Sequence, residues 1–501
     1  VGGKEGSFHM SYVFGDGFDL YAATADAFAG YWDSGIAGGM TLVVGRLTGS
    51  QAINIATGAT VFLTKSSGVN DAVHHIVLAF RQTAALSGTT LGGYLQLLDG
   101  TTGQCCIVFR SDGAMLLTSG TPAGTALATY TGAVSAQNTW FAFEIEVVIN
   151  NTTGSIAVRK NGNTSNDFSL GSLNTRTSAN NYANKLSIGM NTTLNAQQFD
   201  DFLWRSDASS VPWVGDIRCY TRMPASDASV QFSRAPSFTQ SVAQITTAGV
   251  ANGTARYTTA FTAPCDGTIG TVTVTMSVGY TGNMKCSLFT ASSSTAPTTV
   301  LGSATPIANP ASGINTFTFS APVSVAKNSL YVVGFISDTS SGTYYVGSGT
   351  SGMTGTGISY SAFPVANPGV ATGQNAAVCS VIITPTTNNS MVNEAQQDGT
   401  TSYVYDSTVG DADFYTLAAL SGLPASTVAV TTRGFFEKSD AGTRSAAVQL
   451  KSGSTTVQSS AAALGTSWGW RYRTDTTDPA TGAAWSSAAV DSAQIGPVVV
   501  S

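Results

Sequence analysis

Apolar and polar positions alternate with a period of two along most of this chain, and runs with a helical period are scarce. Met40–Arg46, Ile76–Arg81, Gly93–Asp99, Gln104–Arg110, Thr139–Ile149, Gly154–Arg159 and Lys185–Ile188 are short and bounded by Gly, Asn or Ser. Successive side chains of a strand point to opposite faces, so the alternation predicts half-buried strands. Their spacing, about 8–15 residues, suits a sandwich or jelly roll. Phe199–Trp204 and Val214–Tyr220, separated by a turn rich in Ser and Asp, are expected to pair as two further strands. Only Ala22–Tyr31 suggests helix, as one short turn, and its Gly and Thr argue against a longer one.

The pattern breaks into three modules, which suits a chain of 501 residues. Residues 1–236 open with SFHMSYVFGDGFDLY, a strand that runs into a Gly-Asp-Gly turn. Residues 240–385 hold FTAPCDGTIGTVTVTM, NMKCSLFTAS, NTFTFSAPVSV and NSLYVVGFISD, each alternating, which predicts a second β-sandwich. In style this module is similar to adhesins and carbohydrate-binding modules. Residues 388–501 form a C-terminal β-rich module.

Composition narrows the function. Charged residues are 10% of the chain, against roughly 25% in an average soluble protein. Disorder does not explain this, because 43% of residues are hydrophobic and the net charge is only −6. Clustered Lys and Arg are missing, which argues against nucleic-acid binding. No apolar run approaches the roughly 20 residues of a membrane span, so membrane insertion is not expected. The opening VGGKEGSFHM lacks the apolar stretch of a signal peptide, and the expected place of synthesis is the cytoplasm. Cys105, Cys106, Cys219, Cys265, Cys286 and Cys379 show no C-x-x-C spacing and are expected to pack as small hydrophobes. A disulfide from Cys265 to Cys286 or Cys379 stays open as an alternative.

The stretch Phe199–Ala228 reads FDDFLWRSDASSVPWVGDIRCYTRMPASDA. Asp200, Asp201, Gly215, Asp216, Ile217 and Arg218 resemble the closing strands of the concanavalin A/laminin G-like jelly roll of tailed-phage structural proteins. In that family an (I/F)DD(L/F)Y strand precedes an (L/V)GD(V/I)R strand. Glu394, Asp398, Tyr403, Val404, Gly410, Asp411, Asp413 and Tyr415 are similar to a segment that follows the jelly roll almost directly in the same family. About 150 residues intervene in this chain, so the middle sandwich reads as an insertion at an exposed loop. The resemblance implies an all-β protein: a concanavalin A/LamG-like jelly roll, an inserted β-sandwich and a C-terminal β-rich module. It implies a virion protein assembled in the host cytoplasm, tail- or fibre-associated, with other virion proteins and host surface polysaccharide as partners. A symmetric homo-oligomer is the expected state. Capsid decoration, as a head spike, is the alternative place on the particle.

Candidate chemistry is sparse. Glu144 and Glu146, in WFAFEIEVVIN, resemble part of the E-I-D-x-(x)-E strand motif of family-sixteen-like glucanases, which share the jelly-roll fold. Residues two apart lie roughly 6.5 Å apart on one strand face, near the about 5–5.5 Å that a retaining glycosidase needs. The motif's final Glu would fall at Val148 or Ile149, however. Phe141, Phe143, Ile145 and Val147 are therefore read as the buried face, with Glu144 and Glu146 outward and solvated. A polysaccharide-degrading tail spike stays a lesser alternative, and the chain is not expected to be an enzyme. His9, His74 and His75 supply no convergent metal set, because strand neighbours diverge. No cofactor is expected. Asp16 and Asp19 in FGDGFDLY suit either calcium or an Asx-type turn, and the turn is preferred. Trp213, Tyr344 and Tyr345 lie in polar surroundings and are the candidates for glycan contact, since flat rings stack on sugars. Trp468 and Trp470, two apart, are expected to share one face and pack the core.

Overall fold

The computed structural model describes residues 12–35, 38–55, 60–191, 197–234, 238–241, 246–249, 254–294, 296–341, 343–346, 352–374, 378–419 and 426–501. His9 lies outside them. The chain divides into two compact units. One holds Val1–Met223, Glu394–Asp398 and Ser407–Ser501, and the other holds Pro224–Asn393 and Gly399–Asp406.

The first unit is built on two antiparallel sheets. One sheet runs Phe168–Leu173, Gly154–Lys160, Trp140–Val148, Val73–Gln82, Gln197–Asp207, Gln51–Ile55, Met40–Val44, with Tyr12–Asp16 also paired to Gln197–Asp207. The other runs Ala126–Tyr130, Met115–Ser119, Thr102–Arg110, Leu91–Asp99, Ala183–Met190, Thr60–Asp71, Ser34–Gly35. The chain passes repeatedly from one sheet to the other, with hairpin-connected runs such as Leu91–Asp99 to Ala126–Tyr130 kept within one sheet, as in a concanavalin A-like jelly roll. Period-two alternation places Ile76, Leu78, Phe80, Phe143, Ile145, Val147 and Phe199 of the first sheet against Leu95, Leu97, Ile107, Phe109, Leu186 and Ile188 of the second. Phe80 stacks on Phe109 at 4.0 Å and 11° across that core.

Two expectations fail in this unit. Residues 208–223, which include Val214–Tyr220, form no strand. Pro212 lacks an N–H, and Gly215 sits at φ 76°, where a side chain is disfavoured. The N–H groups of Val214, Gly215 and Cys219 go to carboxylates of the first sheet instead of a ladder. The segment is a strap laid on the sheet face opposite the core. Glu144 is consequently 2% exposed, not solvated, although Phe141, Phe143, Ile145 and Val147 do form the buried core face. Strands Gln51–Ile55, Thr60–Asp71, Met115–Ser119, Ala126–Tyr130 and Phe168–Leu173 were not foreseen. Phe168–Leu173 is an edge strand whose residues are largely exposed, so it carries no apolar face to read. Thr24–Phe28 is a single 3-10 turn.

The C-terminal part of the same unit contributes a hairpin, Val430–Phe436 with Gly469–Asp475. A small sheet of Phe414–Leu417, Gln494–Val499, Ser445–Ser452 and Thr455–Gln458 lies in the same part. Trp470 belongs to the jelly-roll core: its backbone N–H donates to Ala29 O at 2.7 Å and its Nε1 to Asp26 O at 2.9 Å. Trp468 is half-buried and stacks on Phe435, which also touches Trp470. Arg222 ties in the short helix Ser487–Ser492 through Val490 O and the Asp491 carboxylate.

The second unit is built on two larger sheets among the described residues, beside a two-stranded pairing of Ser233–Arg234 with Val404–Tyr405. Phe238–Ser241, Cys379–Pro385, Gly267–Val278, Thr343–Val346 and Thr246–Gly249 form one, with Gly313–Val325 against Gly267–Val278. Ala296–Ser303, Asn283–Ser293, Leu330–Ser337, Thr254–Tyr257, Gly352–Thr356 and Ala371–Gln374 form the other. Val272, Val274, Leu288, Phe317, Phe335 and Val381 fill the space between them. All six cysteines are free thiols, Cys265, Cys286 and Cys379 included, so the disulfide alternative does not hold. Burial pushes Cys265 up to about 11 and Cys379 up to about 12. Among the described residues no helix is long and apolar enough to cross a membrane.

Candidate functional site

The face of the first sheet under the strap gathers the charged residues that chemistry would need. Strand Trp140–Val148 pairs in register with Val73–Gln82, which sets Glu146 opposite His75. His75 and Arg205 are likewise opposite one another, on Val73–Gln82 and Gln197–Asp207. His75 Nε2 lies 3.0 Å from Glu146 Oε2, and its Nδ1 lies 3.4 Å from Glu144 Oε1. Arg205, fully buried, donates to Pro212 O at 2.7 Å and reaches Glu144 Oε1 at 3.5 Å. Burial lowers Arg205 to about 10. The two Glu144 oxygens accept the N–H groups of Val214 at 2.7 Å and Gly215 at 2.8 Å. Glu144 thus spends its lone pairs holding the strap.

His74 points the other way and is buried, which lowers it to about 4. Its Nε2 bonds Asp71 O at 2.9 Å and its Nδ1 accepts from Trp204 Nε1 at 3.3 Å, which assigns a neutral ring with the proton on Nε2. The histidines do diverge, as neighbours on a strand must.

A second cluster joins Asp200, Asp201, Asp216 and Arg218, four of the residues that carry the resemblance noted in the sequence. Asp200 Oδ2 accepts from Arg46 N at 2.6 Å, and Asp201 Oδ1 from Cys219 N at 2.7 Å. Asp201 has φ 48°, at an irregularity of the strand that turns both neighbouring carboxylates to useful directions. Arg46 grips Asp216 with both nitrogens, at 2.7 and 2.8 Å, the bidentate geometry that favours Arg. Its Nη1 also lies 3.6 Å from Asp201, and Arg218 pairs with Asp216 as well. Burial, then the neighbouring Asp201 charge, raises Asp200 to about 7. Burial raises Asp19 to about 6 against the bonds from Gln51 and Thr221. At Asp216 partial desolvation acts upward, yet Arg46 and Arg218 hold it below the usual carboxylate range.

Asp16 is engaged by donors on both oxygens. Oδ1 accepts from Phe18 N at 3.0 Å, the Asx-type turn, and from Arg433 at 3.2 Å. Oδ2 accepts from Tyr21 at 2.6 Å and Trp32 at 2.8 Å. Asp19 accepts from Gln51 N at 2.7 Å and Thr221 at 3.0 Å. Among the described residues no three His, Cys, Asp or Glu side chains are arranged around a common metal position.

The aromatic candidates sit differently from the expectation. Trp213 is half-buried, with its ring 4.5 Å from His75 and the Arg159 guanidinium 4.0 Å above it, so it caps the charged cluster. Tyr344 and Tyr345 belong to the strand Thr343–Val346, paired with Ala248 and Thr247. Tyr345 is half-buried.

A pocket of about 280 Å³ opens in the jelly roll where Val73–Gln82 ends and Gln197–Asp207 begins. Gln82, Gln197 and Ser111 are its buried wall, and Ala85, Ser87 and Thr90 form its exposed rim. Sequence reasoning missed it. Gln82 and Gln197 are 115 residues apart, and neither sits in a motif.

A family model described as a domain of unknown function, DUF4082, matches residues 241–392. No curated protein sequence matches the chain. Among solved structures the chain is similar to the galectin LEC-6 of Caenorhabditis elegans, at 14% identity over 31% of this chain and 95% of that one, with a TM-score of 0.20. The VIP36 exoplasmic/lumenal domain in its Ca2+/Man-bound form gives 9% identity over 42% and 95%, with a TM-score of 0.27. Arcelin-5, a lectin-like defense protein from Phaseolus vulgaris, gives 6% over 34% and 91%, with a TM-score of 0.24. Such scores carry no weight for what this chain binds.

Proposed function

We propose that the chain is a structural protein of a bacteriophage virion, tail- or fibre-associated, that works by assembly and by contact with host-surface polysaccharide. It turns over no substrate. The observation that carries this reading is that the phage-type pattern closes into one fastening. Asp200, Asp201, Asp216 and Arg218 meet around Arg46 and the strap, although the pattern spans a turn and two separate segments. Turn residues matched by chance would have no reason to converge. A binding role over a catalytic one is supported by Glu144, whose oxygens hold two strap N–H groups and a buried Arg. That carboxylate is not available to protonate a leaving group. Virion parts are commonly symmetric oligomers, and repeated copies raise the effective concentration of weak single sites.

The test uses the purified full chain with capsular and lipopolysaccharide fractions from candidate host bacteria. Affinity electrophoresis should show retention by one of them, with no reducing ends released above buffer. Release of reducing ends that disappears in Glu144→Gln would overturn the non-catalytic reading. Absence of retention by every fraction would overturn the host-contact reading.

A further inference from the structure

We propose that His75 makes the strap a pH-sensitive latch, fastened while its ring is neutral and loosened when the ring takes up a proton. The latch needs no assumption about what the chain binds. His75 and Arg205 are fully buried and Glu144 is 2% exposed, so solvent ions screen their charges little while the strap is in place. The ring is met on both nitrogens. Nε2 lies 3.0 Å from Glu146 Oε2, while Nδ1 lies 3.3 Å from Arg205 Nη2 and 3.4 Å from Glu144 Oε1. A neutral imidazole has one N–H and one lone pair, and an imidazolium has two N–H groups. Only the neutral ring with its proton on Nε2 suits Arg205: Nε2–H donates to Glu146, and Nδ1 accepts from Arg205 Nη2.

A second proton puts an N–H at Nδ1, facing a guanidinium that has only N–H groups to offer. Two cations then lie side by side in a site closed to water, where their repulsion is strong. Two adjustments relieve it. Arg205 withdraws and gives up its 2.7 Å bond to Pro212 O, or Nδ1–H turns to Glu144 Oε1, already the acceptor for Val214 N–H at 2.7 Å. Either one takes a contact from the strap. The ring is the less mobile partner, because its strand is paired with Trp140–Val148 on one side and Gln197–Asp207 on the other. The strap, by contrast, forms no strand. Two further charges lie near: Arg159, stacked on Trp213 beyond the ring, and Asp207, the next outward residue on the strand of Arg205, which accepts from Ser209. Glu144 and Glu146 balance Arg205 and Arg159 while His75 is neutral, and a proton on the ring leaves one positive charge in excess. The two carboxylates make that proton attainable within the fold, and Arg205 makes it disruptive. Opening uncovers Glu144, Arg205 and the Trp213 ring.

Amide exchange of the full chain between about pH 8 and pH 5, the window in which histidine changes charge, tests the latch once each rate is divided by its intrinsic value. Protection of Val214 and Gly215 should fall about tenfold or more on acidification, while Phe143 and Ile145 in the strand beneath stay protected. In His75→Gln the side-chain amide keeps a donor for Glu146 and an acceptor for Arg205 but takes up no proton, so the strap should stay protected throughout. Asp19, raised to about 6, reaches the strap at Thr221, and its titration should register near Thr221 rather than at Val214 and Gly215. Equal protection of Val214 and Gly215 at both ends of the window, or the same loss in wild type and variant, overturns the latch. Should His75→Gln fail to fold, spectra of wild type labelled with ¹⁵N-histidine decide. The ring that cross-relaxes with Trp213 should gain its second N–H over the same pH range in which protection is lost. A ring that keeps one charge state throughout overturns the proposal.

Discussion

Glu144→Ala should destabilise the jelly roll severely, and Glu146→Ala should not. Glu144 is the acceptor for the Val214 and Gly215 N–H groups and the carboxylate facing Arg205, which is fully buried. Removing one partner of a buried ion pair costs about 3–5 kcal/mol, because the other charge is left uncompensated. Orphaning a buried N–H costs about 1–3 kcal/mol. The losses overlap, since a released strap recovers bonds with water, so about 4 kcal/mol is expected in all. Glu146 holds only His75, and its side chain is 25% exposed. Its loss should cost about 1 kcal/mol or less. At roughly 2 °C per kcal/mol for a unit of this size, the melting temperature should fall by about 8 °C for Glu144→Ala and by about 2 °C at most for Glu146→Ala. Tryptophan fluorescence follows the unfolding, with Trp213 on His75 reporting strap release. Amide exchange at Val214 and Gly215 should accelerate in Glu144→Ala alone. Equal, sub-kilocalorie effects of the two substitutions would refute the fastening role.

Other perturbations have signs of their own. Arg433 pairs with Asp16 at 3.2 Å and lies 3.4 Å over the Tyr31 ring, so Arg433→Met should cost about 3–5 kcal/mol and expose Tyr12–Asp16 to hydrogen exchange; unchanged exchange there would contradict this. Asp19 and Asp200 are raised by burial from 3.8 to about 6 and about 7, so their stabilising contribution is full below 3.8 and lost as pH rises through those values. His74, lowered from 6.5 to about 4, acts oppositely: its contribution is present above 6.5 and lost as pH falls toward 4. Comparison of Asp200→Asn with wild type isolates the Asp200 contribution: the variant's melting temperature should decline less between about pH 4 and pH 7, and identical profiles would count against it. Thiol reagents should find Cys105, Cys106, Cys265, Cys286 and Cys379 unreactive until the chain unfolds, as they are buried and free; fast labelling of them in the native protein would contradict the packing.

The all-β class was legible because alternation is a local property: Phe141, Phe143, Ile145 and Val147 announce their face without help from the rest of the chain. The strap was not legible for the complementary reason. Val214 and Ile217 imitate the apolar positions of a strand, but the N–H groups around them end on Glu144 and Asp201, supplied by strands far along the sequence. Glu144 misleads in the same way, since the strand faces correctly and only the covering segment makes that face interior. Asp16 in its turn could be read from the Gly-Asp-Gly context alone, while its partner Arg433 is 417 residues away. Tyr344 and Tyr345 read as lying in polar surroundings because Ser and Gly flank them, yet cross-strand pairing with Thr247 and Ala248 makes them part of a sheet. The Gln82–Gln197 contact leaves no local trace, for a buried glutamine and an exposed one are spelled alike.

The proposed virion role is tested most directly by immunogold labelling of intact phage particles, with antibodies raised against the purified protein. Discrete label on the tail or its fibres is the predicted result. Label spread over the head, or none on any particle, would contradict it.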